Sequence, residues 1–485
     1  MRIGKKLQPM PFLRRHARAG KRALFVLLLL CAGLLLTLEL LSRGAAMIFN
    51  RAVTNQDMLR GSITAERVLA DPFGHVRFEN LDWKDPDGDT ILFVPSGSFQ
   101  VRLWDVLTKN FKATTLQEIT LNDAEVSVHF SDDMKVDFIR PTPAMKHVNK
   151  EDDWMDKVSI NGLNEEQRKQ LGARKRERRQ HRLEKNWSNF NRGDRRIHTK
   201  LRLNNCKVEV FVKHRHYLMD RVQLYADINT DDAMHIDASA GGFGGTMIGQ
   251  GITLRGDIDF RSQDLPVCDL SLALYEVDPS SLGFGLNIHD KMTLSTHFTG
   301  SLANPDGVGV LQMKELHIPA LHFTNVTGDI FYKDPKLTFK NVHANVYGGT
   351  LDAVGDYDLD TRYYHLRGHG TKLRTRDAFP KDHLSCLVDM DIEIDSKGSA
   401  KDTITSGTFT SGKGHYRLLP FERLAGRFTN AYKDLHFYDV AIDLAGVHIR
   451  TDAFRIQHGK LTLAPIRLFD ARGNLLTTFD QDDIQ

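Results

Sequence analysis

The stretch "LQEITLNDAEVSVHFSDDMKVDFI", residues 116 to 139, alternates apolar and polar residues almost without error. Val126, Val128 and Phe130 fall on one side of a strand and Glu125, Ser127 and His129 on the other, because successive strand side chains point to opposite faces. One face is apolar and the other is wet. The same pattern predicts strands elsewhere. Phe99, Val101 and Leu103 alternate with Ser98, Gln100 and Arg102, and Met390, Ile392 and Ile394 alternate with Asp389, Asp391, Glu393 and Asp395. Turn signals at "ADPFG" (70 to 74), "DPDGD" (85 to 89) and "VPSG" (94 to 97) separate the early strands. Beyond residue 200 no amphipathic helix of ordinary length is legible.

A sheet with one apolar face must cover it with helices, a second sheet, closure into a barrel, or a ligand. Helices are scarce here. The expected fold is therefore mainly β with an N-terminal transmembrane helix, its strands forming a long curled antiparallel sheet with an apolar groove. Tandem β-sandwiches are the alternative. The candidate groove-lining residues are Phe99, Val101, Leu103, Val126, Val128, Phe130, Met390, Ile392 and Ile394.

The chain has 485 residues, 41% hydrophobic and 26% charged, an ordinary balance for a folded protein. Its four cysteines, Cys31, Cys206, Cys268 and Cys386, show neither a CxxC spacing nor the density of a disulfide framework. The net charge of +3 hides a segregation: residues 1 to 22 carry eight basic side chains and no acid, which leaves the remainder net acidic. That distribution argues against a main surface that reads nucleic acid.

Residues 23 to 41, "ALFVLLLLCAGLLLTLELL", have the length and apolarity of a membrane-spanning helix, with Glu39 near one end where it reaches the interface. The basic side chains before it place residues 1 to 22 in the cytoplasm by the positive-inside rule. The expected order is a cytoplasmic tail (1 to 22), a membrane helix (23 to 41), a linker (42 to 61), an N-terminal β region (62 to 140), a basic helical insertion (141 to 199) and a repetitive β-groove (200 to 485). The insertion includes "NEEQRKQLGARKRERRQHRLEKNW", rich in helix formers but without an apolar stripe, so a solvated helix or arm is the default reading. "GGFGGTMIGQGITLRGDIDF" (241 to 260) is similar to "VYGGTLDAVGDYDLD" (346 to 360), as if one hairpin were used twice.

With one N-terminal anchor followed by "SITAERVLADPFGHVRFENLDWKDPDGDTILFVPSGSFQVRLWDV", the chain resembles the N-terminal region of the AsmA-like proteins. "LTFKNVHANVYGGTLDAVGDYDL" resembles their recurrent strand pair. The resemblance implies a protein of the inner (cytoplasmic) membrane with a periplasmic body, related to TamB-type and chorein-type bridge-like lipid transfer proteins. It implies phospholipids as cargo, transfer toward the outer membrane, a role in outer-membrane assembly, and a periplasmic or outer-membrane partner protein. The alternative is a non-catalytic envelope scaffold.

No catalytic constellation is legible, so no enzyme and no cofactor are expected. "DPDGD" has the acid spacing of a calcium loop but carries Thr90 and Ser96 where the EF-hand pattern needs Gly and Glu, and reads as a turn. His214 and His216 share a strand face without an identifiable third ligand. Gly249 and Gly251 begin a GxG that no helix follows, which points to bends in a sheet.

Overall fold

The computed structural model describes residues 60 to 480 apart from 72, 103, 106–107, 109–113, 131–162, 192–196, 213–214, 262–264, 283–287, 303, 319–320, 335, 381–382, 398–399 and 458–459. The apolar stretch 23 to 41, its basic flank and most of the linker lie outside the described residues. Among the described residues no helix is long and apolar enough to cross a membrane.

The strands are β1 (Ser62–Ala70), β2 (His75–Lys84), β3 (Thr90–Val101), β4 (Leu116–Asn122), β5 (Glu125–Phe130), β6 (His198–Val212), β7 (Arg215–Asn229), β8 (Ala233–Ala240), β9 (Gly242–Gly245), β10 (Gly251–Asp259), β11 (Val267–Val277), β12 (Met292–Ser301), β13 (Asp306–Ile318) and β14 (Leu321–Lys333). They continue as β15 (Lys336–Val346), β16 (Gly349–Asp358), β17 (Tyr364–Arg374), β18 (Leu384–Ser385), β19 (Leu387–Ser396), β20 (Thr403–Ser411), β21 (Gly414–Tyr416), β22 (Leu419–Phe421), β23 (Arg423–Ala431), β24 (Asp434–Leu444), β25 (Val447–Gln457), β26 (Lys460–Leu463), β27 (Ile466–Asp470) and β28 (Leu475–Phe479). All but β18, β21 and β22 belong to one curled sheet of 25 strands. The three exceptions form a small flap. The sheet is thus continuous, not a row of sandwiches.

Nearly every pairing is antiparallel between sequence neighbours. The parallel exception involves residues 116 to 130. β4 and β5 pair with β3 on one side and run parallel to β6 on the other, with Leu121 opposite Leu203 and Val128 opposite Val210. They act as one strand interrupted at Asp123, whose φ of 53° makes the break, and Ala124 there is fully buried. A parallel pair needs a long crossover. The connection from β5 to β6 supplies it and contains the helix α1 (Glu165–Asn191). Among the described residues, β1 to β5 and the strands from β6 onward, β18, β21 and β22 apart, therefore belong to one sheet.

Two local devices shape it. The loops Asp71–His75, Asp85–Asp89 and Asp470–Asn474 share one design: an Asp carboxylate accepts backbone N–H groups two and four residues on, and the fourth residue is a left-handed glycine. The second device is the bulge. Left-handed residues at Asn205, Arg221, Glu276, Asn325, Asn341, Lys372 and Asp439 coincide with shifts in strand register. Each inserts a residue on one strand, bends it and increases its twist, which curls the sheet. The two "GGT" segments do not form the same hairpin. Tyr347 and Gly348, at φ 48° and 68°, make a two-residue turn between β15 and β16, whereas Gly242–Gly245 is a short strand on β7.

Successive hairpins alternate between two rims. α1 lies across the turns of one rim. Its start is closed by a reciprocal pair: the Gln167 N–H donates to the Asn164 side chain, and the Asn164 N–H donates to the Gln167 side chain. Arg168, Gly172 and Arg176 share one helical face. Arg168 donates to the Lys397 carbonyl at 2.6 Å and lies over the Tyr363 ring; Arg176 approaches Asp360 at 3.1 Å and Asp334 at 3.6 Å. Gly172 is buried against Asp360, where a Cβ would meet side-chain carbon at 2.8 Å. The basic helix is docked by a polar stripe, which a search for an apolar one misses.

Candidate functional site

Burial differs along the sheet. Around β1 to β8, a closed cluster holds Ala65, Val68, Phe78, Leu81, Val94, Ala124, Cys206, Val222 and Ala240. Farther along, smaller buried clusters form around Phe243 and Val277, around Leu311, Phe323 and Val346, and around Cys386 and Phe421, and the mid-strand positions between them stay half-buried. The largest fully buried side chains among the described residues are only Val94, Val277, Pro279 and Cys206.

The open part contains a lane of directly opposed residues on nine strands, β15 to β26. Val342 faces Ala353, which faces Gly368, then Ile392, Gly407, Phe428, Phe437, Phe454 and Leu463. All nine are half-buried. Eight strand spacings of about 4.8 Å give a lane of roughly 38 Å. A cavity of about 1030 Å³ spans these strands; beside six of the lane positions, Val342 to Phe428, its lining includes the charged side chains that alternate with them, among them Asp352, Arg367, His369, Asp391 and Glu393.

The lane is smoothed by small-to-large pairing. Phe428 lies over Gly407 and Phe409 over Gly426, so a Cβ at either glycine would come within 2.8 Å of a ring carbon. Phe437 and Phe454 stack with centroids 4.4 Å apart, and Phe409 meets Phe437 edge-on at 6.2 Å. These contacts make a ring-lined floor with no charged member.

The opposite face is charged. His343 meets Asp352 at 2.9 Å, His369 meets Asp391 at 2.6 Å and Arg367 meets Glu393 at 3.0 Å, all across strands. The hydrogen bond to Asp391 holds His369 above the ordinary histidine range. These pairs keep this face of the sheet polar and its register fixed.

Of the residues picked from the sequence, Ile392 is in the lane, and Met390 and Ile394 flank it on the same face of β19. Met390 also packs against the flap cluster of Cys386, Val388 and Phe421. Phe99 and Val126 pack against the closed cluster, while Val101 and Val128 are half-buried. Leu103 and the Phe130 side chain lie outside the described residues. The sequence reading missed Phe428, Phe437, Phe454 and the glycines between them; on β24 the bulge at Asp439 shifts the phase of alternation between Phe437 and Val440.

Of the other candidates, Asp85 is committed to its own loop through the N–H groups of Asp87 and Asp89. His214 lies outside the described residues, and His216 stacks on Phe211 with Glu209 at 3.6 Å. Cys206 and Cys268 are buried, and burial pushes both thiols up. No protein-family model, no curated protein and no solved structure matches the chain.

Proposed function

We propose that this chain is a tethered β-trough that carries phospholipid acyl chains along its apolar lane, as an AsmA-like lipid transfer protein would. The observation that carries the reading is the lane itself: nine opposed, half-buried residues without a charge, on a sheet whose other face is charged. Such a lane needs no reaction centre. The barrier to moving a lipid through water is exposure of its tails, and each CH₂ kept from water is worth about 0.8 kcal/mol. A floor of rings and glycines offers that shelter with little shape specificity, while headgroups remain at the open side.

In this reading residues 23 to 41 tether the trough to the inner membrane, the body is periplasmic, and transfer runs toward the outer membrane in support of its assembly. The continuity of the sheet favours a conduit over a scaffold of separate domains, because a scaffold has no use for an uncovered apolar lane. The test is retention of cargo. The full-length chain, purified in a mild detergent and extracted with organic solvent, is expected to yield phospholipid by mass spectrometry in amounts that follow the protein through gel filtration. A folded, monodisperse chain without lipid would overturn the proposal.

A further inference from the structure

We propose that Glu315, His317 and His322 form a binding site for a borderline divalent cation, zinc in the first instance, at the end of the β13–β14 hairpin. The two histidines face each other in register across the hairpin, with ring centroids 4.1 Å apart and planes within 11° of parallel. Glu315 precedes His317 by two residues, so it projects from the same face. The ligand atoms of all three lie within 4.8 Å of one another. Side-chain rotation closes such a spread to metal bonds of about 2.0 to 2.2 Å. All three are exposed, which leaves room for water to complete the coordination.

A neighbouring group gives the arrangement its direction. Asp290, just before β12, holds His317 twice: its Oδ1 lies 2.8 Å from Nδ1 of the ring, and its Oδ2 accepts the His317 backbone N–H at 2.6 Å. With Nδ1–H donated to a carboxylate, the lone pair of His317 is on Nε2, the arrangement that orients a metal-binding imidazole. Among the described residues Glu315 has no ion-pair partner, so its carboxylate is uncommitted.

A second cluster, His365, Glu393 and Asp395, shows what the first has that others lack. There the His365 Nδ1 meets Asp395 at 2.7 Å while Nε2 faces Glu393 at 3.4 Å, and Glu393 also accepts from Arg367. Both ring nitrogens are engaged, so that cluster serves as a control. Two imidazoles with one carboxylate favour zinc or copper over calcium or magnesium. A bound ion would join β13, β14 and the Asp290 segment at the rim opposite α1.

The experiment uses the full-length chain, stripped with a chelator and titrated with zinc alone against a chromophoric competitor, and separately with cobalt followed by visible absorption. One equivalent is expected to bind more tightly than any other, with cobalt bands of low coordination number. His322→Ala and Glu315→Gln should each weaken that equivalent at least about tenfold, and Asp290→Asn about 10- to 100-fold. His365→Ala should leave it unchanged. His322→Gln, which keeps size and polarity, must give the same loss as His322→Ala, with thermal melts confirming that both variants fold. Native zinc affinity in His317→Ala and His322→Ala, or loss of the same equivalent in His365→Ala, would overturn the proposal.

Discussion

The start of the sheet and its later half are built from the same alternating strands, yet they treat their apolar faces differently. At β1 to β8 the face closes on itself: Val94, Ala124 and Cys206 reach full burial, and Phe78 packs near Phe99 with centroids 6.0 Å apart. From β15 to β26 the mid-strand positions of the corresponding face form a half-buried lane that runs through the rings of Phe428, Phe437 and Phe454 to Leu463. Alternation therefore says that a face is apolar without saying what covers it. Curvature decides that, and curvature comes from where the left-handed bulge residues fall.

The comparison can be broken first at its closed end. Val94→Asp places a carboxylate at a site with no exposure, with a cost of several kcal/mol and more than about 4 if the chain cannot relax around it. The expected result is loss of the cooperative thermal transition. A transition within a few degrees of the native one would mean that this end is as open as the lane.

A smaller effect is expected at the rim. Arg176→Ala removes both the 3.1 Å approach to Asp360 and the 3.6 Å approach to Asp334, while Gly172→Leu wedges the same helical face away from Asp360. The Asp334 pair is exposed and contributes at most about 1 kcal/mol, whereas the Asp360 side chain is only 12% exposed and loses its partner inside the contact. The melting temperature should fall by less than in Val94→Asp, and amide exchange at Asp334, Asp360 and Lys397 should rise together. Unchanged exchange would show that α1 is not held at those turns.

The smallest effect concerns the wet face. The hydrogen bond that the His369 ring donates to Asp391 raises the histidine's pKa above its model-compound value of 6.5. Its contribution to stability is fully present below about pH 6.5 and is lost as pH rises through the raised folded value. Both side chains are largely exposed, so the effect is screened. In His369→Gln the fall in stability between about pH 6 and pH 8 should shrink relative to the native chain. An identical pH profile would remove this pair from the account.

Much of the architecture was legible in the sequence, for reasons that also define its limits. Period-2 alternation at Val126, Val128, Met390 and Ile392 marks strands with one apolar face, and the Asp-x-x-Gly loops mark their hairpins. The parallel join of β5 to β6 was not legible, since nothing local in 116 to 130 names a partner more than 70 residues away. The lane was only partly legible. Ile392 stands out among acids, but Gly407 and Gly368 carry no hydrophobic signal, and a glycine under a ring is visible only in space. The histidine pair had a local signal that went unread: in "ELHIPALH" His317 and His322 sit symmetrically about Pro319-Ala320, as residues facing each other across a hairpin must.

The central claim is that the lane holds lipid and the closed end holds the fold. It is tested most directly by Ile392→Asp and Phe437→Asp in the full-length chain, with lipid bound per protein and the thermal transition measured on the same samples. A carboxylate in the lane must stay hydrated or protonate, so acyl chains lose their path there while water still reaches the new charge. Both variants are expected to keep a cooperative transition close to the native one and to lose most of their bound phospholipid. Loss of the transition in both, or native lipid content in both, would contradict the account.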